Sequence, residues 1–315
     1  MKLIDFDNIR SIGISPEQCY AWVGEMLEAK HEAILPHKIS MKPYDGVFCN
    51  VMPCILGSTP RYGGVKLVTR YPERVPSLDS KLILYNAENG EVLALMDANW
   101  ITAMRTGAVA AHSIILLAKK NFSRIAMMGL GNTARATLLV LASVMKERSF
   151  CVKLLKYKGQ EEDFANRFKD FSNLSFEYVD TKEDLVRGSE VVVSAATYLS
   201  EDICSDDCYD EGVLVVPIHT LGFTNCDLFF DKVFADDRGH VQHFKYFDRY
   251  KYFAEVKDVL DGRSPGREND KERILAYNIG ISIHDINFAG HIYELVDKNC
   301  LTDIDLHDPE EKFWI

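Results

Sequence analysis

The first third of the chain follows the alternating pattern of strands, after one early helix. Ser15-Pro16-Glu17-Gln18 combines a serine cap, a proline at the first helical position and a glutamine that closes a capping box, so a helix is predicted to about Ala29. Asn89-Gly90 is a strong hairpin signal. These residues predict an α+β unit with a largely antiparallel sheet, whose strands are Ile39–Met41, Val47–Met52, Gly64–Thr69, Lys81–Asn86 and Val92–Ala94.

From residue 99 onward the pattern changes to strands that alternate with helices. A helix of small residues is predicted from Asn99 to Lys120, and another helix from Glu161 to Phe171. Short apolar runs lie between helical stretches, and this alternation indicates a parallel sheet. A long helix from about Lys271 to Val296 is expected to return to the first unit. The predicted parallel strands are Ile125–Met128, Phe150–Leu155, Val191–Ala196, Val213–Pro217 and Lys232–Ala235.

Together the two patterns predict an α/β protein of two domains, which suits a length of 315 residues. Residues 1–118 form the first domain, completed by a C-terminal helical segment, 267–315. Residues 119–266 form a Rossmann-type, doubly wound parallel sheet that binds a dinucleotide.

Composition and charge narrow the class of partner. The net charge of −11 argues against nucleic acid and anionic membranes, and no apolar run reaches the ~18 residues that span a bilayer. Eight cysteines are scattered without a repeated spacing, and Cys204 and Cys208 lack the further ligands of a zinc site. We therefore expect reduced thiols, no metal site and a cytoplasmic protein without a signal peptide.

The motif Gly129-Leu130-Gly131-Asn132-Thr133-Ala134 lies between a predicted strand and a predicted helix. The first glycine permits a sharp turn, and Gly131 lets the backbone approach a pyrophosphate because it has no Cβ. Ala134 allows close packing of helix on strand, while the helix start, with Asn132 and Thr133, offers N–H groups to an anion. This order favours a dinucleotide site over a purely structural turn.

Two lysines follow the next strand, where NAD sites usually carry an acidic residue that holds the ribose 2′-hydroxyl. Lys156 and Lys158 would instead attract a 2′-phosphate, so NADP(H) is favoured and NAD(H) is possible. Two ordinary surface lysines are the alternative interpretation. Ala195 and Ala196 end a later strand and are expected at the cofactor, because the carboxyl ends of parallel strands face the ligand crevice.

Four stretches together resemble one known family. They are GVKLVT at residues 64–69 with the hairpin NAENGEVLALMDA that follows it, TAMRTGA at 102–108, the GLGNTA turn at 129–134 and the C-terminal ERILAYNIGISIHDI. In this combination the chain resembles the ornithine cyclodeaminase/mu-crystallin family over nearly its whole length. The resemblance implies that the first domain binds the substrate and forms a homodimer through its sheet.

The resemblance also implies roles for residues of the first domain. Arg105 and Lys66 look like the family's carboxylate-binding pair, because an arginine fork holds a carboxylate by two hydrogen bonds and a lysine can also donate a proton. Without the resemblance, each would be interpreted as a surface residue. Lys38 stands where a third family arginine would fall, Thr106 resembles the threonine at the cofactor phosphates, and Met52 matches the family's Met-Pro in the substrate site.

Two departures from the family's pattern bear on the reaction. Thr224 stands in place of the cyclodeaminases' aspartate, and Asn50 in place of a glutamate. Cyclisation of ornithine needs a base for two amines, whereas reduction of a preformed C=N bond needs a hydride and one proton. Ketimine reductases of the mu-crystallin type resemble this chain in having a small hydroxyl residue at the first position. His219 is interpreted as structural, and Asp285 on the last helix as packing and capping.

The sequence therefore predicts an NAD(P)-dependent oxidoreductase that reduces the C=N bond of a small α-imino acid. Arg105, with Lys66 or Lys38, is expected to fix the carboxylate, and Lys66 to donate the proton. Three alternatives stay open. They are an ornithine cyclodeaminase that forms proline and ammonia with NAD, a reductive amination like that of alanine dehydrogenase or opine-forming enzymes, and a nucleotide-binding protein whose catalysis has decayed.

Overall fold

The structure is a computed structural model that describes residues 1–196, 199, 202–218, 228–306 and 309–314. The described helices are α1 Phe6–Ser11, α2 Pro16–Glu28, α3 Asn99–Leu117, α4 Asn132–Val144, α5 Gln160–Asn166, α6 Lys182–Val186, α7 Arg238–Val241, α8 Val256–Leu260 and α9 Ser282–Leu295. The strands are β1 Lys2–Ile4, β2 Ile39–Met41, β3 Phe48–Ile55, β4 Tyr62–Arg70, β5 Leu78–Asn86, β6 Val92–Asp97, β7 Arg124–Met128, β8 Phe150–Leu155, β9 Leu174–Val179, β10 Val191–Ser194, β11 Leu214–Pro217, β12 Lys232–Ala235, β13 Phe253–Glu255, β14 Ile274–Tyr277 and β15 Thr302–Asp303.

A seven-stranded sheet contains the N-terminal strands, in the order β15-β1-β6-β5-β4-β3-β2. All neighbouring strands in it are antiparallel except β1 and β6, which confirms the prediction of a largely antiparallel sheet. Its β5–β6 hairpin turns at Gly90, whose φ of +80° is in the left-handed region that such a turn requires. Helices α3 and α9 pack against this sheet, with Leu82, Leu84 and Met96 in the core.

The second sheet has eight strands, in the order β13-β12-β14-β11-β10-β7-β8-β9. Every neighbouring pair in it is parallel, which confirms the predicted Rossmann-type fold. The chain runs outward from β7 to β9 and then returns to β10 on the other side of β7. This reversal opens a crevice at the carboxyl ends of β7 and β10, where ligands bind in folds of this type.

The C-terminal region differs from the predicted helix that begins near Lys271. Residues Ile274–Tyr277 form β14 between β11 and β12, and α9 begins only at Ser282. The prediction is wrong here because periodicity cannot separate strand from helix in an apolar run of four residues. The parallel sheet thus takes a strand from beyond residue 266, whereas α9 packs on β3 and β4. The domain boundaries themselves stay a prediction.

Helix α3 connects the two sheets, because it lies between β6 and β7 in the chain. It packs against α2 and α4, and at Gly107 an ideal Cβ would lie 2.4 Å from the carbonyl carbon of Ala136, so only glycine permits this approach. By length and composition α3 meets the criteria for a membrane span. Most of it is buried inside the protein, as is typical of a core helix.

Candidate functional site

A buried ion cluster joins three elements that lie far apart in the sequence. Lys66 Nζ on β4 donates to Asp285 Oδ1 on α9 at 2.7 Å, and Arg105 Nε on α3 donates to the same oxygen at 2.9 Å. Lys66 also donates to Thr102 Oγ1 at 3.3 Å. The side chains of Lys66 and Asp285 have no exposed surface, and that of Arg105 is 6% exposed. The interpretation of Lys66 and Arg105 as surface residues is therefore wrong.

Strand register places Lys66 beside two other residues predicted for the substrate site. On antiparallel β3 and β4, Lys66 lies directly opposite Met52, and opposite residues share a face of the sheet. Asn50 lies two positions from Met52 and so faces the same side. Met52 is buried, and Asn50 Oδ1 is buried without a hydrogen-bond partner among the described residues. The structure brings all three residues together under α3 and α9.

Two cations share one carboxylate in the cluster, which leaves an excess of positive charge. Burial, together with the nearby Arg105 guanidinium, lowers the pKa of Lys66 to about 7, although Asp285 opposes the shift. Arg105 Nη1 and Asp285 Oδ2 are buried and have no hydrogen-bond partner in the described part of the chain. A buried cationic donor without an acceptor is costly, and a ligand carboxylate would supply the missing acceptor.

Gly280 fixes the space in which the Arg105 guanidinium lies. Its φ is +85°, and an ideal Cβ on it would lie 2.6 Å from Arg105 Nη1. Because Gly280 follows β14, the Arg105 end of the ion cluster lies at the carboxyl edge of the parallel sheet, the edge that also carries the crevice at β7 and β10.

Lys38 and Asp236 bind the peptide group that joins Ile279 and Gly280, one at its carbonyl and the other at its N–H. Lys38 Nζ donates to Ile279 O at 3.3 Å, and the Gly280 N–H donates to Asp236 Oδ2 at 2.6 Å. Burial lowers the pKa of Lys38 to about 8, with a further contribution from Arg105, and burial raises the pKa of Asp236. Lys38 thus lies where the third cation is expected. Asp236, whose Oδ1 has no partner among the described residues, adds a carboxyl group that the sequence did not indicate.

The glycine turn after β7 has the geometry that a dinucleotide site requires. Gly129 has a φ of +75°, and an ideal Cβ on it would lie 2.2 Å from Ala196 N, so glycine is needed between the ends of β7 and β10. An ideal Cβ on Gly131 has no atom of the described chain within 4 Å. Gly131 is also the N-cap residue of α4, so no side chain caps the N–H groups of Asn132 and Thr133 at the start of this helix. These residues fit the pyrophosphate of a dinucleotide.

Three further residues predicted at the cofactor lie near this turn. Ala134 is buried on α4, and Ala195 directly follows β10, where its N–H donates to Met128 O at 2.9 Å. Thr106 lies on α3, beside the glycine that packs on α4, and its hydroxyl donates to Thr102 O at 2.6 Å. In this arrangement the Thr106 hydroxyl binds its own helix, and its role at the phosphates stays a prediction.

The two lysines after β8 are exposed, as a 2′-phosphate site requires, and one of them already has a partner. Lys156 forms an ion pair with the exposed Asp180 at 3.0 Å, and Lys158 Nζ lies 5.0 Å from the centroid of the Tyr157 ring. Lys158 has a φ of +54°. Asp180 offsets part of the positive charge on which the preference for NADP(H) depends.

Two predicted residues, Thr224 and His219, lie outside the described residues, so their roles stay predictions. The interpretation of Asp285 as a packing and capping residue is wrong, because its carboxylate pairs with Lys66 and Arg105. The signal that would have found Asp285 is its place in the mainly apolar run ISIHDINFAG, where a buried charge needs a partner.

Comparison with known proteins gives one family and several relatives. The model of the ornithine cyclodeaminase/mu-crystallin family matches residues 24–299. The Delta(1)-pyrroline-2-carboxylate reductase of Bacillus cereus is 26% identical over 253 residues, which are 73% of this chain and 76% of that protein.

Two solved structures share the fold. A Delta(1)-pyrroline-2-carboxylate reductase of Thermococcus litoralis, in complex with NADH and L-proline, has a TM-score of 0.84 at 21% identity and covers 96% of this chain and 100% of its own. An archaeal alanine dehydrogenase dimer with bound NAD has a TM-score of 0.83 at 23% identity. The match covers 98% of this chain and 99% of that chain. At these identities the likeness shows the fold, in agreement with the predicted α/β architecture.

Proposed function

Since the chain belongs to the ornithine cyclodeaminase/mu-crystallin family, we propose that it is an NAD(P)-dependent oxidoreductase that reduces the C=N bond of a small α-imino acid. The observation that carries this proposal is the buried cluster of Lys66, Arg105 and Asp285 beside the dinucleotide crevice. The similarity to a pyrroline-2-carboxylate reductase, and to a structure with NADH and L-proline, supports an imino acid as substrate.

The substrate carboxylate binds at the unpaired side of Arg105. Arg105 Nε is bound to Asp285, which leaves Nη1 as the buried donor without a partner among the described residues. Lys38 lies across the Ile279–Gly280 turn from it and adds a second positive charge. Two cationic groups that converge on one buried position favour a carboxylate over a neutral group.

Lys66 donates the proton to the imine nitrogen, and a nicotinamide cofactor held at the glycine turn would supply the hydride. A pKa of about 7 lets Lys66 lose and regain its proton near neutral pH, as an efficient acid does. Asp285 holds the Lys66 ammonium in place through the 2.7 Å contact and does not itself reach a reacting atom in this scheme. Asn50 and Met52 line the same face and bound the space for the imino acid.

Gly131 and the start of α4 would hold the pyrophosphate of the cofactor, because a Cβ on Gly131 meets no described atom within 4 Å and no side chain caps the helix. NADPH is preferred to NADH in this proposal, because Lys156 and Lys158 follow β8 at the position of the ribose. The structures with the same fold contain NADH or NAD, so this preference rests on the two lysines alone.

A homodimer forms through the outer face of the first sheet. Ile39, Leu67 and Ile83 are exposed apolar residues on that face, opposite to the side that carries Lys66. A contiguous apolar surface on a sheet favours contact with a second copy. The archaeal alanine dehydrogenase with this fold is a dimer, which supports the proposal.

A second candidate, ornithine cyclodeaminase, is favoured by one observation. Asp236 places a buried carboxyl group beside the Ile279–Gly280 turn, and carboxylates suit the base that cyclisation needs. Thr224 and Asn50 count against this candidate because neither carries a carboxylate at the position where the family has one.

The test is a screen of three reactions with the unmodified protein. Oxidation of NADPH and NADH is followed with a cyclic α-ketimine acid and, separately, with pyruvate plus amines, while ammonia release from ornithine is followed with NAD. Ammonia is measured directly because a cyclodeaminase recycles its NAD. Reduction of the ketimine is the expected result. Turnover of ornithine without ketimine reduction would establish the second candidate instead.

A further inference from the structure

Two histidines and an aspartate converge outside the ion cluster described above. His37 lies between α2 and β2, Asp237 caps the start of α7, and His240 lies on α7. One ligand atom from each residue lies within 4.8 Å of the other two. Sequence spacing did not indicate this group, because His37 lies far from the other two residues along the chain.

The distances within the group suit a small transition-metal ion. His240 Nδ1 lies 3.1 Å and His37 Nδ1 lies 4.0 Å from Asp237 Oδ1. Ligand atoms of a tetrahedral zinc site lie about 3.4 Å apart, given Zn–N and Zn–O bonds of about 2.1 Å. The His37 ring has to move by roughly half an ångström or more to reach this geometry, because its Nδ1 lies 4.0 Å from Asp237 Oδ1. Its side chain is 61% exposed, so one side of the ring faces solvent and leaves room for the movement.

The surroundings of Asp237 and His240 support the group as a ligand set. Lys30 Nζ binds the other carboxylate oxygen, Asp237 Oδ2, at 2.9 Å, which orients the carboxylate and leaves Oδ1 for a ligand. His240 is nearly buried, and its Nε2 has no hydrogen-bond partner among the residues that the structure describes. Asp237 is therefore the only polar partner that the structure shows for this ring.

The approach of His37 depends on a glycine. An ideal Cβ on Gly239 would lie 1.8 Å from His37 Cε1 and 2.5 Å from His37 Nδ1. The imidazole thus lies directly against the backbone of α7, at a position where any larger residue would displace it. Through this contact His37, in the loop before β2, lies against α7, where Asp237 is the N-cap residue and His240 lies within the helix.

We propose that His37, Asp237 and His240 bind a Zn²⁺ ion, with water at the fourth position. Imidazole nitrogens and a carboxylate oxygen are ligands that zinc accepts, and three protein ligands leave one position open. Binding replaces the contact between His240 Nδ1 and Asp237 Oδ1, so that both atoms become ligands of the ion. The ion links His37, which precedes β2, to Asp237 and His240, which follow β12.

A bound ion would also fix the position of Lys38, which directly follows His37 in the chain. This consequence rests on the proposed function, in which Lys38 helps to bind the substrate carboxylate. The binding site itself does not depend on that function, and a metal titration without substrate tests it separately.

The experiment titrates the chelator-treated full chain with Zn²⁺ in a calorimeter, and with Co²⁺, whose visible absorption reports tetrahedral coordination. The unmodified protein should bind one equivalent. His37→Ala removes a largely exposed ligand and should weaken binding by at least about tenfold. Gly239→Ala keeps all three ligands but displaces the His37 ring, and should weaken binding as well. His243→Ala, an exposed histidine nearby, is the matched control and should bind normally.

Circular dichroism checks that each variant is folded. Weaker Zn²⁺ binding in His37→Ala, with normal binding in His243→Ala, supports the site. Equal Zn²⁺ affinity in the unmodified protein and in His37→Ala would overturn the proposal, and so would the absence of binding by the unmodified protein.

Discussion

Lys66 and Asp285 form an ion pair of 2.7 Å in which neither side chain has any exposed surface. A buried ion pair contributes little net stability, because the cost of removing both charges from water offsets their attraction. Here Arg105 shares the same carboxylate oxygen, so the attraction of one anion is divided between two cations. Such a cluster adds little to the stability of the fold, which agrees with the proposed role in binding an anionic substrate and transferring a proton.

The pKa of Lys66 predicts opposite pH profiles for the two directions of the reaction. Reduction of an imine requires the protonated amine, so its kcat/KM should fall as the pH rises through about 7. Oxidation of the amino acid requires the neutral amine, and its kcat/KM should rise over the same range. Rates measured in both directions from roughly pH 6 to pH 9 check this. Profiles that change in the same direction would exclude Lys66 as the proton donor.

The variant Asp285→Asn should shift the pH profile of the reduction toward lower pH. Asp285 raises the pKa of Lys66, so loss of its charge lowers the pKa further and reduces the protonated fraction at neutral pH. We expect reductive kcat/KM at neutral pH to fall by at least about tenfold. Asp303→Asn is the matched control, because Asp303 pairs with Lys2 at 2.8 Å on the surface. An unchanged inflection in Asp285→Asn would show that Asp285 does not act through Lys66.

Local chemistry made much of the fold predictable. The capping box at Ser15 and Gln18 forms as expected, and β2 has the predicted bounds Ile39–Met41. Features that depend on distant partners were not predictable in this way. Asp285 meets Lys66 across 219 residues, and β14 is a strand because β11 and β12 flank it. Patterns along one segment carry no information about such contacts, since burial and pairing are decided by the whole fold.

Gly131→Ala should separate cofactor binding from folding. The added methyl group meets no atom of the described residues within 4 Å, so the variant should stay folded. Its thermal midpoint should fall only slightly, because alanine is a poorer N-cap residue by about 1 kcal/mol. It would occupy the space assigned to the pyrophosphate, and KM for the cofactor should rise by at least about tenfold. Gly129→Ala, whose Cβ would lie 2.2 Å from Ala196 N, should instead lose stability. A normal cofactor KM in Gly131→Ala would place the pyrophosphate elsewhere.

Removal of both lysines after β8 should change cofactor preference. The double variant Lys156→Ala/Lys158→Ala should weaken NADPH more than NADH, by about tenfold, because only NADPH carries the 2′-phosphate. Asp180→Asn provides the complementary variant, since it frees Lys156 from its 3.0 Å ion pair and should strengthen NADPH binding. Fluorescence titration of each cofactor measures these affinities. Equal affinity of the unmodified protein for NADPH and NADH would contradict the assignment of the two lysines.

If Lys66 donates the proton in the reduction of a C=N bond, the variant Lys66→Met should lose most of the reductive activity. Methionine is unbranched and only one atom shorter than lysine but has no proton to give, and circular dichroism checks the fold. We predict that kcat/KM for a cyclic ketimine acid with NADPH falls by about 100- to 10,000-fold in Lys66→Met, the range that a positioned acid contributes. Ornithine with NAD should release no ammonia from the unmodified protein. Ketimine reduction at an unchanged rate in Lys66→Met would contradict the claim.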